Sequence, residues 1–249
     1  MNWIDEGIFL NARNYGESAS VVTILTCEHG RHAGLVRGGS SRRFRPILQT
    51  GNFVQCAWRG RLEENLGNFT IELSHAIAAA LLDNPVALAG LSSACALVDV
   101  FLPEREAYSA VFHSLRKLLD TIKPDNNWFT EYVRWETNLL RELGFGLALD
   151  SCAATGQTEN LTWVSPKTGR AVSADAGRPY ADRLLPLPKF LITQNSASLE
   201  EIRDGFKLTG HFLGRAAESG GCALPPARNR LLDSFSRKHT TSCVKTPYD

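Results

Sequence analysis

No stretch of this chain approaches the roughly 18 uninterrupted apolar residues that a membrane-crossing helix requires. The opening Met1-Asn2-Trp3-Ile4-Asp5-Glu6 carries acid where a secretory leader carries base. A cytoplasmic protein without membrane contact is the expectation. Cysteines are few and solitary: Cys27, Cys56, Cys95, Cys152, Cys222 and Cys243 come no closer than 21 positions, so they are read as reduced thiols and not as a disulfide framework. Catalytic signatures are missing too. There is no phosphate-binding glycine loop with Lys-Ser/Thr, no dinucleotide fingerprint, no nucleophile elbow and no His-Glu-x-x-His. Gly144-Phe145-Gly146 follows a helical pattern and lacks a third glycine, so it is read as a helix stop. The six histidines show no paired spacing on any expected helix. The chain is expected not to be an enzyme and to need no cofactor.

What is present is an ordinary globular composition: 249 residues, 43% hydrophobic and 21% charged, enough for two domains with their own cores. The formal net charge of +1 hides an uneven distribution. Between residues 30 and 62 stand seven arginines (Arg31, Arg37, Arg42, Arg43, Arg45, Arg59 and Arg61) and no Asp or Glu. A polyanion senses charge within a Debye length of about 10 Å, so the local excess matters more than the total. Arg37-Gly38-Gly39-Ser40-Ser41-Arg42-Arg43-Phe44-Arg45 is a basic loop with no acid of its own, and Phe44 and Trp58 interleave rings with the cations. Fixed charge for phosphates and aromatic faces for bases are what a single-strand binder needs. Such a run also serves merely to solvate a barrel face. The missing counter-charge and the kind of sheet around it favour nucleic acid, with these seven arginines, Phe44 and Trp58 as the candidate contacts.

Hydrophobic alternation places five short strands in the first 75 residues: Ile4 to Asn11, Ala19 to Thr26, a short one around Gly34 to Arg37, Asn52 to Trp58, and Asn68 to Leu73. Strands this short expose edges unless the sheet closes, which points to a small barrel. After Leu73 the period becomes helical. Asp83-Asn84-Pro85 reads as the start of a helix to Phe101. Tyr108, Val111, Phe112, Leu115, Leu118, Leu119 and Ile122 form one apolar stripe, predicting a five-turn helix ended by Lys123-Pro124. Another helix is expected from Asp125-Asn126 to Gly144, burying Phe129, Tyr132, Val133, Leu139, Leu140 and Leu143. A turn-rich insert with two short strands follows, and helices resume at Ser198 and Pro225-Pro226. The fold class is α+β in two domains: a small β-barrel of residues 1–75, and an α-helical domain of residues 76–249 interrupted by the insert, residues 147–188.

Five stretches resemble the RecO family of bacterial DNA repair and recombination mediators. They are Tyr15-Gly16-Glu17-Ser18; Glu28-His29-Gly30; Arg37-Gly38 through Ser41-Arg42-Arg43-Phe44-Arg45 with Leu48-Gln49; Trp58-Arg59-Gly60-Arg61; and Glu142-Leu143-Gly144-Phe145-Gly146-Leu147 leading to Cys152. The resemblance implies that the barrel is of the oligonucleotide-binding (OB) type and that the role is non-catalytic: binding single- and double-stranded DNA and annealing complements. It also implies helping RecR, with or without RecF, to load RecA onto DNA coated by single-strand-binding protein (SSB). It suggests that the helical domain receives the acidic, aromatic-ended SSB tail, with Arg134 as the matched candidate; the alternative is that Arg134 only contacts Asn138 or pairs with Glu131. The terminal Arg228, Arg230, Arg237, Lys238 and Lys245 against Asp233 and Asp249 are a weaker candidate for extending the DNA track.

The insert departs from the family pattern. Many relatives carry a zinc module of two Cys-x-x-Cys pairs, whereas this chain has Cys152-Ala153-Ala154-Thr155 and Ser173-Ala174-Asp175-Ala176. A degenerate, metal-free, zinc-finger-like module is expected, with Cys152 packed as a small hydrophobe and the loop held by turns and Trp163. Two other readings are retained. One is an RNA-binding or translation-associated OB protein, and the other a metal-dependent hydrolase built from Asp5, Glu6 and Glu17.

Overall fold

The first strand sets the architecture because it is long enough to serve two neighbours. In the computed structural model, which describes residues 1–62, 65–123, 127–193 and 195–240, β1 runs Asn2–Tyr15. Its first half pairs with β4 (Phe53–Arg59), from Asn2↔Arg59 to Ile8↔Phe53; its second half pairs with β2 (Ala19–Thr26), from Gly7↔Thr26 to Tyr15↔Ala19. The register shifts between Phe9 and Asn11, the irregularity that bends a strand around a barrel corner. Gly7 sits where the partners change; a Cβ there would fall 2.3 Å from the Ile24 side chain, so only a glycine lets the sheet curl this tightly. β2 returns antiparallel as β3 (Gly30–Val36), and β4 pairs antiparallel with β5 (Asn68–His75). A single parallel pair, Leu35↔Asn68, closes the barrel in the order β1-β2-β3-β5-β4. This is the expected five-stranded OB-type barrel. The first strand is longer at both ends than its alternation suggested, and the third starts at Gly30 instead of Gly34.

Inside the barrel lie Phe9, Val22, Ile24, Val36, Val54, Cys56, Trp58, Phe69 and Ile71. His32 is buried with them, 2% exposed, packed against Trp3, Trp58 and Phe69, and neither ring nitrogen has a hydrogen-bond partner. Burial, aided by the Arg105 charge, holds its pKa down to about 4. The unfolded chain then binds this proton more readily than the native one. Stability is full above about pH 6.5 and declines as pH falls toward 4, by about 3 kcal/mol in total. Urea titrations across that window should show the decline, and His32→Phe should remove most of it.

Past the barrel come α1 (Ile77–Ala80), α2 (Pro85–Phe101) and α3 (Ser109–Thr121). The Asn84 side chain accepts from the Ala87 N–H and Pro85 occupies the first turn, as the sequence indicated. α3 buries Val111, Phe112, Leu115, Leu118 and Leu119 on one stripe, but it spans 13 residues, short of five turns. The Pro124 stop and the Asp125-Asn126 start lie outside the described residues. α4 (Phe129–Glu142) buries the expected side chains except Leu143, its C-cap, which is half-buried, and Gly144 follows at φ +82°, the left-handed stop.

The insert holds three strands, not two: β6 (Leu161–Val164), β7 (Ala171–Ser173) and β8 (Leu185–Pro186), in the order β7-β6-β8, with the short helix α5 (Ala174–Gly177) after β7. A two-residue edge strand containing proline carries no alternation to detect. α6 (Leu199–Ser219) opens with a full capping box, Ser198 with Glu201, and α7 is Pro226–Thr240. The chain divides into two compact units: residues 1–126 with 225–249, and residues 127–224. Helices α2, α3 and α7 thus belong with the barrel, whereas the sequence reading divided the chain at residue 75. No helix among the described residues is long and apolar enough to cross a membrane.

Candidate nucleic-acid interface

The barrel is sealed between β3 and β5 by one residue pair, and what lies beyond that pair defines the site. β3 ends at Val36 while β5 continues to His75, paired there only with β4. The segment 37–52 turns back over the barrel through short-range bonds such as Ser41 N–H to Gly38 O and Leu48 N–H to Phe44 O, and it packs Phe44, Ile47 and Leu48 on the core. Between this segment and β5 opens a cleft of about 580 Å³, lined by Arg37, Arg43, Phe44, Arg59, Asn68, Thr70 and Glu72 among others. A second cleft of about 400 Å³ shares Arg59 and Asn68 with it and adds Tyr15, Arg61, Asn65 and Gly67. Together they form one track along the barrel surface.

Arginine dominates the charge along this track, and Glu72 is the one acid lining it among the described residues. Arg37, Arg42, Arg43, Arg45, Arg59 and Arg61 are all exposed, and among the described residues none makes a salt bridge. Of these, Arg37, Arg43, Arg59 and Arg61 line the clefts; Arg42 and Arg45 stand on the same segment outside them. The Arg43 guanidinium lies 5.9 Å from the Phe44 ring centroid, a cation–π pairing that holds the head group over the cleft.

Two expected contacts are displaced. Trp58 is 0% exposed, and its Nε1–H donates to Leu66 O (3.1 Å) inside the barrel, so it cannot stack a base. Arg31 pairs with Asp99 (3.4 Å) and Glu104 (3.7 Å), and its Nε–H donates to Leu102 O (2.8 Å). It clamps β3 to the end of α2, and its charge is spent within the molecule. The ring that the sequence reading missed as a contact is Tyr15, 60% exposed at the cleft wall. The strand expected from alternation stops at Asn11, four residues short of it; the Gly16 turn directly after Tyr15 was the available signal.

Acids proposed for a hydrolase do not converge. Asp5 is buried and accepts from Glu28 N–H and His29, while Glu6, its neighbour on the strand, faces outward and pairs with Arg116. Arg228 is 3% exposed, which removes it from the terminal DNA track; Lys245, Asp249 and the sixth cysteine, Cys243, lie outside the described residues. The other five cysteines are free thiols, and burial pushes Cys56 and Cys95 up to about 12.

In the second unit, Arg134 donates to Phe190 O and Thr193 O and pairs with Glu131, the alternative foreseen from the sequence. It also floors a cleft of about 340 Å³ with Thr137, Asn138, Phe190, Leu191, Ile192 and Thr193. The four positions of the family's zinc module hold Cys152, Thr155, Ser173 and Ala176. One thiol, two hydroxyls and a methyl do not fit a tetrahedral zinc site. Cys152 is buried, but it is more than a hydrophobe: Ser173 N–H donates to its sulfur (3.2 Å) and its S–H donates to Ser173 Oγ (3.4 Å). Burial pushes this thiol up, yet the hydrogen bonds of Ser173 and Thr155 prevail and bring it down to about 6. Trp163 packs against Gly177, where a Cβ would come within 2.4 Å of the indole.

Comparison with known proteins gives a consistent result. Residues 1–76 match the family model "Recombination protein O N terminal" and residues 82–220 match "Recombination protein O C terminal". The chain is similar to the DNA repair protein RecO of Rhodospirillum centenum, with 52% identity covering 98% of each chain. It is also similar to proteins of that name from Cereibacter sphaeroides (48% identity, 95% of this chain and 100% of that one) and Roseobacter denitrificans (46%, 96% and 100%).

Proposed function

Since the chain belongs to the RecO family of DNA repair proteins, we propose that its barrel track binds single-stranded DNA and anneals complements in the cytoplasm, as a binding protein and not an enzyme. The observation that supports this is the row of exposed arginines, without a salt bridge among the described residues, that line two clefts sharing Arg59 and Asn68. Phosphates lie against Arg37, Arg43, Arg59 and Arg61, while Tyr15 and the free part of Phe44 give bases a surface to stack on. Annealing is opposed by repulsion between two polyanions, which a cationic track reduces. Duplex product is held by the same phosphate contacts. Recombinase loading follows from delivering such a strand with RecR, with or without RecF, to RecA on SSB-coated DNA. The test is annealing of complementary oligonucleotides, bare and SSB-coated, with matched RNA as competitor. Acceleration with a preference for DNA is expected; no acceleration overturns the reading, and an RNA preference moves it to the RNA-binding alternative.

The Arg134 cleft suits the acidic, aromatic-ended tail of SSB, with the peptide's last ring against Leu191 and Ile192 and its carboxylate near the guanidinium. Arg134 has most of its donors engaged, so the carboxylate must displace Glu131. Arg134→Ala should therefore weaken binding of a tail peptide at least tenfold in calorimetry, whereas Glu131→Gln should strengthen it. Unchanged affinity in both variants would sink the assignment.

A further inference from the structure

Among the described residues, one acid faces the cationic cleft. Glu72 lines it beside Arg37, Arg43, Phe44 and Arg59, is exposed, and among the described residues makes no salt bridge and no side-chain hydrogen bond. Alternation along β5 puts Phe69 and Ile71 inside the barrel and Asn68, Thr70 and Glu72 outside. On one side Glu72 is in register with Gln55 of β4. On the other, among the described residues, no strand is paired with it, since β3 meets β5 at the single pair Leu35↔Asn68. The carboxylate therefore stands at an open sheet edge, with guanidiniums lining the same cleft.

Resting on the single-strand reading above, we propose that Glu72 selects bases that carry an exocyclic amino group. A carboxylate accepts hydrogen bonds and repels phosphate. A strand in the cleft is thereby oriented, its phosphates on Arg37 and Arg43 and its base edges toward β5. Cytosine N4, adenine N6 and guanine N2 are donors to such an acceptor, and carboxylate-to-cytosine pairing is an established mode of base recognition. Thymine and uracil present a carbonyl oxygen at the equivalent edge. Their one ring N–H lies between two carbonyls whose lone pairs oppose the second carboxylate oxygen. The bond to an amino group is charge-assisted, so the discrimination survives partial exposure.

Deoxycytidine and deoxyuridine oligomers of about 20 nucleotides differ only at this edge and span one barrel site. Fluorescence anisotropy at neutral pH should show the natural chain binding the cytosine oligomer about fivefold more tightly than the uracil oligomer. Glu72→Gln, whose amide both donates and accepts, should bring the ratio close to one; Glu72→Ala should do the same by removing the acceptor. Thermal unfolding of both variants should match that of the natural chain. An unchanged ratio in the variants overturns the proposal even if both oligomers bind more tightly, for Glu72 then only tempers the charge of the cleft. If the natural chain binds neither oligomer, the single-strand reading itself fails and the proposal with it.

Discussion

Simultaneous replacement of Arg37, Arg43 and Arg59 by glutamate should weaken single-strand binding by about 100-fold or more near 0.1 M salt. The magnitude follows from counterion release. Each phosphate contact contributes about 0.7 to the slope of log affinity against log salt, so three lost contacts flatten it by about 2. Over the decade between about 1 M and 0.1 M salt, that slope is worth two decades of affinity, and the introduced charges add repulsion. A salt titration of anisotropy measures both quantities. The three residues are exposed and unpaired among the described residues, so thermal unfolding should stay where it is. The same reversal at Arg42 and Arg45, which stand outside the clefts, should have a smaller effect; an equal effect would mean that diffuse charge and not the track binds DNA.

Much of this site is legible in the sequence, and the two exceptions are instructive. The absence of Asp and Glu from residues 30 to 62 singles out Arg37, Arg43, Arg59 and Arg61, which are exposed and, among the described residues, make no salt bridge. Arg31 belongs to the same run, but its partners Asp99 and Glu104 are about 70 positions away and arrive only when α2 packs against the barrel. Nothing local announces such a pairing. Trp58 is a different kind of error, because the signal was present. In the alternating segment it shares parity with Val54 and Cys56, so the pattern that identified the strand also placed the indole inside. The appeal of an aromatic ring beside arginines outweighed that periodicity. The barrel was readable because alternation and turn chemistry agree along its five strands, while the third insert strand was not, because two residues carry no period.

Trp58→Ala should destabilise the barrel by about 3 to 5 kcal/mol, the range for deleting a fully buried aromatic ring. The indole fills the centre of the core, stacked 5.9 Å from Trp3 and edge-on to His32 at 4.9 Å. Gly60 and Gly67 lie directly against it: a Cβ at either would fall 2.3 Å from the ring. Both glycines also line the track, so the ring shapes the cleft floor without touching a ligand. Chemical denaturation measures the loss, and DNA affinity should fall at least in proportion to the unfolded fraction, since the cleft floor loses its support as well. Tyr15→Ala is the contrasting case. Its ring is exposed, so stability should hardly change while affinity drops by about tenfold, the worth of roughly one stacked base.

The clamp formed by Arg31 has one more consequence. Gly30 lies so close to Glu106 that a Cβ would sit 1.9 Å from its carbonyl oxygen, Arg31 O accepts from Arg105 N–H (2.9 Å), and Asn52 accepts from Ala78 N–H (3.2 Å). A fragment ending at residue 76, where the first family model stops, would strand this guanidinium and open a seam lined by backbone shaped for a partner it no longer has. The stretch the family model matches and the compact unit are thus different pieces of chain: the strands can be recognised without the helix behind them, but they are packed as one body with it.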